Sequence, residues 1–185
     1  MFKAEFISAK NLLEWNIEYN LGLKSVSLKK NHIVLEADQR CDYFYFVLKG
    51  CLRLYYLDLE GNQITHWFAD ENSITTSPFS FFKKEKNILF IETLEETELL
   101  FITSDHFKTI IKEVKNAGYE IRKLYAEFAM IFSRRIMDIH TKTAQERYSE
   151  LLNNHPFLLE KAKLSHIASF LGITQQSLSR IRKNL

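Results

Sequence analysis

Between residues 25 and 103 the chain runs through seven apolar stretches of strand length, SVSL, HIVLE, YFYFVL, LRLYYLD, QITHWF, ILFIETL and ELLFIT, almost without a break for helix. They are rich in Val, Ile, Tyr and Phe, whose branched or flat side chains pack well on a pleated surface. Turn signals such as Lys49-Gly50 and Glu60-Gly61-Asn62 separate them. Strands this closely spaced argue for an antiparallel sandwich, roll or barrel. The one interruption, residues 77–86, holds Pro78 and three lysines and is expected to be a loop or one helical turn.

Helical periodicity brackets this core. Phe2, Phe6, Ala9, Leu13 and Ile17 recur at three- and four-residue steps, which predicts a helix ending near Gly22 with that face packed on the core. After Ser104, FKTIIKEV reads as a short helix and Gly118 as punctuation. From residue 119 to about 142 there is no Pro or Gly, and Ile121, Tyr125, Phe128, Phe132 and Ile139 follow alternating four- and three-residue steps. Such a narrow apolar seam suits helix pairing, although Arg135 interrupts it. The helix is long for the domain, so dimerisation is favoured over packing on the chain's own sheet.

Composition sets outer limits. Of 185 residues 46% are hydrophobic and 14% aromatic, enough for one packed domain plus a small appendage and no long disordered tail. Five Gly and two Pro exclude collagenous and low-complexity chains. Cys41 and Cys51 cannot make the dense disulfide framework of a small secreted domain, so a cytoplasmic location and buried thiols are expected. The N-terminal stretch lacks the apolar core of a signal peptide. No segment approaches the roughly 20 apolar residues that span a bilayer, and no membrane partner is expected.

Charge is unevenly placed. Lys161, Lys163, Arg180, Arg182 and Lys183 fall in the last 25 residues, which contain no Asp or Glu. The preceding 160 carry 20 cations against 23 carboxylates. Clustered cations gain affinity for a polyanion by releasing counterions from its phosphates. On charge alone, a solvated helical face explains the pattern equally well.

The same region supplies a stronger signal. In LSHIASFLGITQQSLSRIRK, residues 164–183, Ile167, Ala168 and Leu171 make one short apolar face, Gly172 and Ile173 sit in a gap, and Leu178 and Ile181 make a second face. Two short helices crossing steeply need a small residue at closest approach and a flexible one at the turn. Ala168 and Gly172 meet both needs, and Leu178 completes the shared core, as in a helix-turn-helix. An ordinary helical hairpin is the competing reading. With Thr174 as N-cap, Gln175, Gln176 and Ser177 occupy the first turn of the second helix and Arg180 the next. Gln pairs bidentately with adenine and Arg with guanine, so Gln175, Gln176 and Arg180 are the candidate base readers. Ser165, Thr174, Ser177, Ser179, Arg182 and Lys183 are candidates for backbone phosphate contacts. The partner implied is double-stranded DNA.

The order of N-terminal helix, strand-rich core, long helix and helix-turn-helix resembles the Crp/Fnr family of bacterial transcription regulators. IVLEADQRCDYFYFVLKG, residues 33–50, is similar to the first half of that family's cyclic-nucleotide-binding-type β-roll, and LRLYYLDLEGNQITHWF to its next hairpin. AQERYSELLNNHP, residues 144–156, is similar to the connector in a branch common in Bacteroidetes. The fold implied is α+β: an N-terminal antiparallel β-roll of the double-stranded β-helix or jelly-roll type with flanking helices, a long dimerisation helix, and a C-terminal helical helix-turn-helix domain. The implied divisions are 1–115 for the N-terminal helix and sensor roll, 116–146 for the dimer helix and 147–185 for the DNA-binding part. The resemblance implies a homodimer whose two recognition helices enter successive major grooves, with occupancy set by the sensor. Activation would also need a surface for RNA polymerase, and no segment identifies one.

Three features depart from the resemblance. Cyclic AMP binders in the family hold the cyclic phosphate with a Gly-Glu pair and, shortly after, an Arg-Ser or Arg-Thr pair. The corresponding stretches here offer Glu71, Asn72, Ser73, Thr75, Lys86 and Asn87 as an effector pocket, and no Arg occurs between Arg53 and Arg122. Without that planar cation, tight binding of cyclic AMP or cyclic GMP is not expected and the effector is unassigned. The sequence also ends at Leu185, directly after the second helix, where family members commonly add a β-wing on the DNA backbone; affinity is then expected to be modest and to lean on dimerisation. An oxygen-sensing iron–sulfur cluster would need more thiolates than Cys41 and Cys51.

Two other classes compete. A cupin metal enzyme would need two or three His with a carboxylate on neighbouring strands, but His32, His66, His106, His140, His155 and His166 include no close pair. No Gly-rich phosphate loop or hydrolase elbow occurs either, so no catalytic or metal residue is assigned. A sensor or interaction module that has lost DNA binding is the other alternative.

Overall fold

Helix α1 (Ala9–Tyr19) opens the chain in a computed structural model that describes residues 6–184. Ser8 Oγ caps it by accepting the Asn11 N–H, and Asn20 ends it in the left-handed region. Its buried residues are Leu12 and Trp15, with Phe6 against the Trp15 ring at 5.0 Å. The expected stripe is therefore wrong at Leu13 and Ile17, which are 51% and 86% exposed. Because the helix starts only after Ser8, Phe6 belongs to the entering chain and cannot set the phase; Phe2 lies outside the described residues.

All seven expected strands form, in chain order β1 (Lys24–Leu28), β2 (Ile33–Leu35), β3 (Tyr43–Lys49), β4 (Leu52–Leu57), β5 (Gln63–Ala69), then β7 (Phe90–Thr93) and β8 (Thr97–Thr103). Between β5 and β7 lie a two-residue strand β6 (Ile74–Thr75) and a short helix α2 (Pro78–Lys83). The strands build two antiparallel four-stranded sheets, ordered β1-β8-β3-β6 and β2-β7-β4-β5. Alternation explains the unbroken apolar runs. In β3, Tyr45 and Val47 point between the sheets with Leu54, Ile91 and Leu99, while Phe44 and Phe46 point outward to a second core under helices. Both faces of the first sheet are covered, so neither can be polar. Cys41 and Cys51 are buried free thiols, and burial pushes Cys51 up to about 12.

Helices α3 (Ser104–Glu113) and α4 (Ala117–Thr141) follow the last strand. Asn116, in the left-handed region, makes the break between them, and Gly118 lies inside α4, contrary to its expected role as punctuation. The chain closes with α5 (Ala144–Asn154), α6 (Leu158–Lys161), α7 (Leu164–Phe170) and α8 (Gln175–Lys183). Thr143 and Glu146 start α5 with a reciprocal capping box. The core of these last helices takes in Cys51, Phe68 and Leu94 from the roll. Among the described residues no helix is long and apolar enough to cross a membrane.

Candidate DNA interface and its seat on the roll

Helices α7 and α8 form the expected helix-turn-helix. Ile167, Ala168, Leu171 and Leu178 are buried together, with Ile181 packed against them. Gly172 adopts φ +71, a conformation that a side chain would strain, and the Ile173 N–H bonds back to the Ala168 carbonyl. Thr174 caps α8, its Oγ1 accepting the Ser177 N–H at 3.1 Å. Thr174 Oγ1 also lies 3.0 Å from Ser177 Oγ, so both hydroxyls are engaged in the cap. Around the buried Leu178, the side chains of Gln175, Gln176, Arg180, Arg182 and Lys183 are exposed, with Gln176, Arg180 and Lys183 on the opposite side of α8. Ser165 is exposed on α7 and Ser179 half-buried on α8. Of the five C-terminal cations, Lys161 is committed to Glu95 of the roll at 2.6 Å.

A buried polar cluster absent from the sequence-based expectations fixes α7 to the second sheet. Arg53, on β4, is 1% exposed. Its Nη1 donates to Glu92 Oε1 and Gln63 Oε1 at 2.8 Å, its Nε to Thr65 Oγ1 at 3.0 Å, and its guanidinium lies 4.3 Å from the Tyr55 ring centre. The fourth partner is His166 Nε2 of α7, at 3.0 Å. An arginine only donates, so that nitrogen is an acceptor and the ring is neutral with its proton on Nδ1. Burial and the nearby guanidinium push His166 down to about 4. Beside it, Ser169 Oγ accepts the Thr65 N–H at 2.8 Å and donates to the Gln63 carbonyl.

Two further arginines hold the helix ends. Arg135 of α4 donates to the carbonyls of His66 and Phe170 and lies 4.1 Å from the Phe170 ring centre. Burial lowers its pKa to about 10, which leaves it charged at neutral pH. Arg147 of α5 donates to the Lys142 carbonyl and, at 3.0 Å, to that of Leu171. Both satisfy terminal helix carbonyls that lack a partner within their own helix.

The expected dimer seam turns inward. Ile121 is 3% exposed inside the chain's own core, Phe128 and Phe132 pack on the roll, and Tyr125 meets Phe82 edge to face at 5.6 Å. Of that seam only Ile139, at the far end, and Tyr125 remain substantially exposed. The opposite side of α4 carries a second four-three sequence, Ala126, Met130, Ser133, Met137 and His140, all exposed.

Between the roll and α4 lies a cavity of about 440 Å³, bounded by Leu54, His66 and Trp67 on one side and Leu124, Phe128 and Phe132 on the other. Of the expected effector residues only Thr75 lines it. Ser73 is buried against Asp70, Asn72 turns the chain in the left-handed region, and Glu71 accepts from the Gly50 N–H. Lys86 faces solvent, and Asn87 is buried in structural bonds to the carbonyls of Glu36 and Leu89 and the N–H of Leu89. These five do not form the pocket because the β5–β6 turn and the segment after α2 carry them into backbone scaffolding or out to solvent. Among the described residues no three His, Cys, Asp or Glu converge as metal ligands.

Comparison with known proteins fits this geometry. Residues 25–114 match the cyclic nucleotide-binding domain family. FixK2 from Bradyrhizobium japonicum superposes with a TM-score of 0.75 at 17% identity, over 88% of this chain and 84% of that one. A protein described as a Crp/Fnr-family transcriptional regulator from Eubacterium rectale gives 0.70 at 23%, over 96% and 82%. The c-di-GMP-responsive global regulator CLP of Xanthomonas campestris gives 0.72 at 13%, over 92% and 90%. No curated protein sequence matches significantly. The chain has the fold of the Crp/Fnr transcription regulators, built on a cyclic nucleotide-binding domain; these matches do not distinguish a branch within the family.

Proposed function

We propose that the chain is a homodimeric, sequence-specific DNA-binding transcription regulator that acts in the cytoplasm and answers to an effector other than cyclic AMP or cyclic GMP. Residues 1–115 serve as sensor, 116–146 as dimer helix and 147–185 as the DNA-binding part. The observation that carries this reading is α8, with Leu178 fully buried, Gln176 and Arg180 exposed on the opposite side and Gln175 exposed at its first turn. Exposed Gln and Arg on the first two turns of a recognition helix suit base edges in a major groove, and Arg182 and Lys183 suit the phosphates beyond. Two copies pair through the exposed Met130 and Met137 on the outer side of α4.

On a selected binding site, Arg180→Ala costs about 1–3 kcal/mol and relaxes base preference, whereas Lys183→Ala weakens selected and random DNA alike. Equal losses on both DNAs in both variants refute this division of roles. Light scattering on the intact chain reads a dimer at micromolar concentration and a monomer for Met137→Glu; a monomer in both refutes the pairing.

A further inference from the structure

The cavity between the roll and α4 has an uncharged, ring-rich wall. None of its lining residues is Lys, Arg, Asp or Glu, and six carry Phe, Tyr or Trp rings. Its polar side-chain groups come from Thr75, Thr76, Tyr125, Trp67 and His66. His66 is neutral, because burial and Arg135 push it down to about 4, and its ring stacks on Phe132 at 5.3 Å. A cyclic phosphate placed here would meet no cation. The lysines at the end of α2 and just beyond it are engaged elsewhere or solvated: Lys84 bonds Asp42 and Ser104, Lys83 lies over the Phe79 ring, and Lys86 faces solvent. Desolvating a phosphate without a paired cation is prohibitive, whereas an uncharged apolar body gains from the same wall.

We propose that this cavity binds an uncharged, ring-bearing apolar molecule with one or two hydrogen-bonding groups, and that this is the chemical class of the effector. The inference rests on the reading of the chain as an effector-responsive regulator and names what its sensor takes. The volume, about 440 Å³, falls within the range of about 300–1,000 Å³ typical of small-molecule sites. Half-exposed Phe82 and Tyr125, edge to face, form the rim through which a ligand would pass. The inner wall is also the seat of the DNA-binding part. Trp67 touches Phe132 at 5.2 Å and Phe170 of α7 at 6.4 Å between ring centres, and the His66 carbonyl accepts from Arg135, which also holds the Phe170 carbonyl. A molecule that displaces Phe132 or Trp67 therefore moves the surface on which α7 rests.

The test is a fluorescence titration of the full chain with N-phenyl-1-naphthylamine, an uncharged probe with two aromatic units and one N–H. One saturable site per chain is expected, undisturbed by millimolar cyclic AMP. Leu124→Trp, which fills the cavity, weakens binding at least tenfold with the circular dichroism unchanged. Phe82→Ala, at the rim, folds normally and speeds association. Leu59→Ser, far out on an exposed turn, leaves binding unchanged and controls for surface adhesion. The proposal is overturned by no saturable uptake, by full retention of binding in folded Leu124→Trp, or by displacement with cyclic AMP. DNA selection on the same preparation separates the two claims. Selection of a defined site without probe uptake overturns this inference alone, and probe uptake without any selected site overturns the regulatory reading.

Discussion

Arg53→Ala is the perturbation that most severely tests how the roll holds the helix-turn-helix. The guanidinium is almost wholly buried, and its partner Glu92 is 14% exposed, so removing the cation leaves a carboxylate with little water to replace it. Breaking a buried pair from one side costs about 3–5 kcal/mol. His166 and Thr65 lose a donor as well, so a value of about 4 is expected, a large part of the roughly 5–15 kcal/mol that holds a domain together. At about 2–4 °C per kcal/mol for a chain of this size, the melting midpoint falls by about 8–16 °C. Urea unfolding followed by circular dichroism at pH 7.5 measures the loss directly. Glu92→Gln alone also destabilises, and the double variant Arg53→Met, Glu92→Gln loses less than the sum, because neither charge remains stranded. A second reading comes from His166, whose pKa rises toward 6.5 in Arg53→Ala when followed by NMR. A loss below about 1 kcal/mol, or an unmoved His166, refutes the argument, since solvent would then be reaching the cluster.

Acid should loosen the same seat. His66 and His166 have folded pKa values near 4 against about 6.5 unfolded, so the unfolded chain takes up protons first. Stability is then flat above about pH 7 and falls from about 6.5 to about 4, by about 1–3 kcal/mol for each ring, the lower end applying to the partly exposed His66. Denaturant unfolding at pH 7.5, 6 and 5 checks this, and a midpoint independent of pH contradicts it. Leu178→Ala removes a fully buried side chain where α7 and α8 meet and costs about 2–5 kcal/mol, with DNA binding lost before the roll melts; calorimetry and gel shift on one sample would show whether the two losses separate.

What the sequence makes legible follows from the range of the interactions. The helix-turn-helix is readable because Ala168, Gly172, Thr174 and Leu178 act on one another within ten residues. The strands of the roll are readable because β3 and β8 are apolar on both faces and so give unbroken runs. β6 escapes notice, since two residues carry no periodicity. The error over α4 has a different source. A four-three repeat says that a face is apolar, not what it faces, and the same helix holds two such repeats. Arg135 is the missed clue, for a cation inside an apolar seam signals carbonyls to be met, here those of His66 and Phe170. Arg53 inside the run LRLYYL is the same kind of signal, but its partner His166 lies 113 residues away, and no local pattern joins them. The expected effector residues rest on family correspondence alone, and the fold sends all but Thr75 elsewhere.

The central claim, that two copies of α8 read DNA, is tested most directly by selecting bound fragments of the source genome with the purified full chain and with Arg180→Ala, at low and near-physiological salt. The account predicts an inverted repeat with half-sites about one helical turn apart, recovered by the wild type and lost in the variant. Recovery of fragments with no common sequence, bound only at low salt and equally by both proteins, would contradict it.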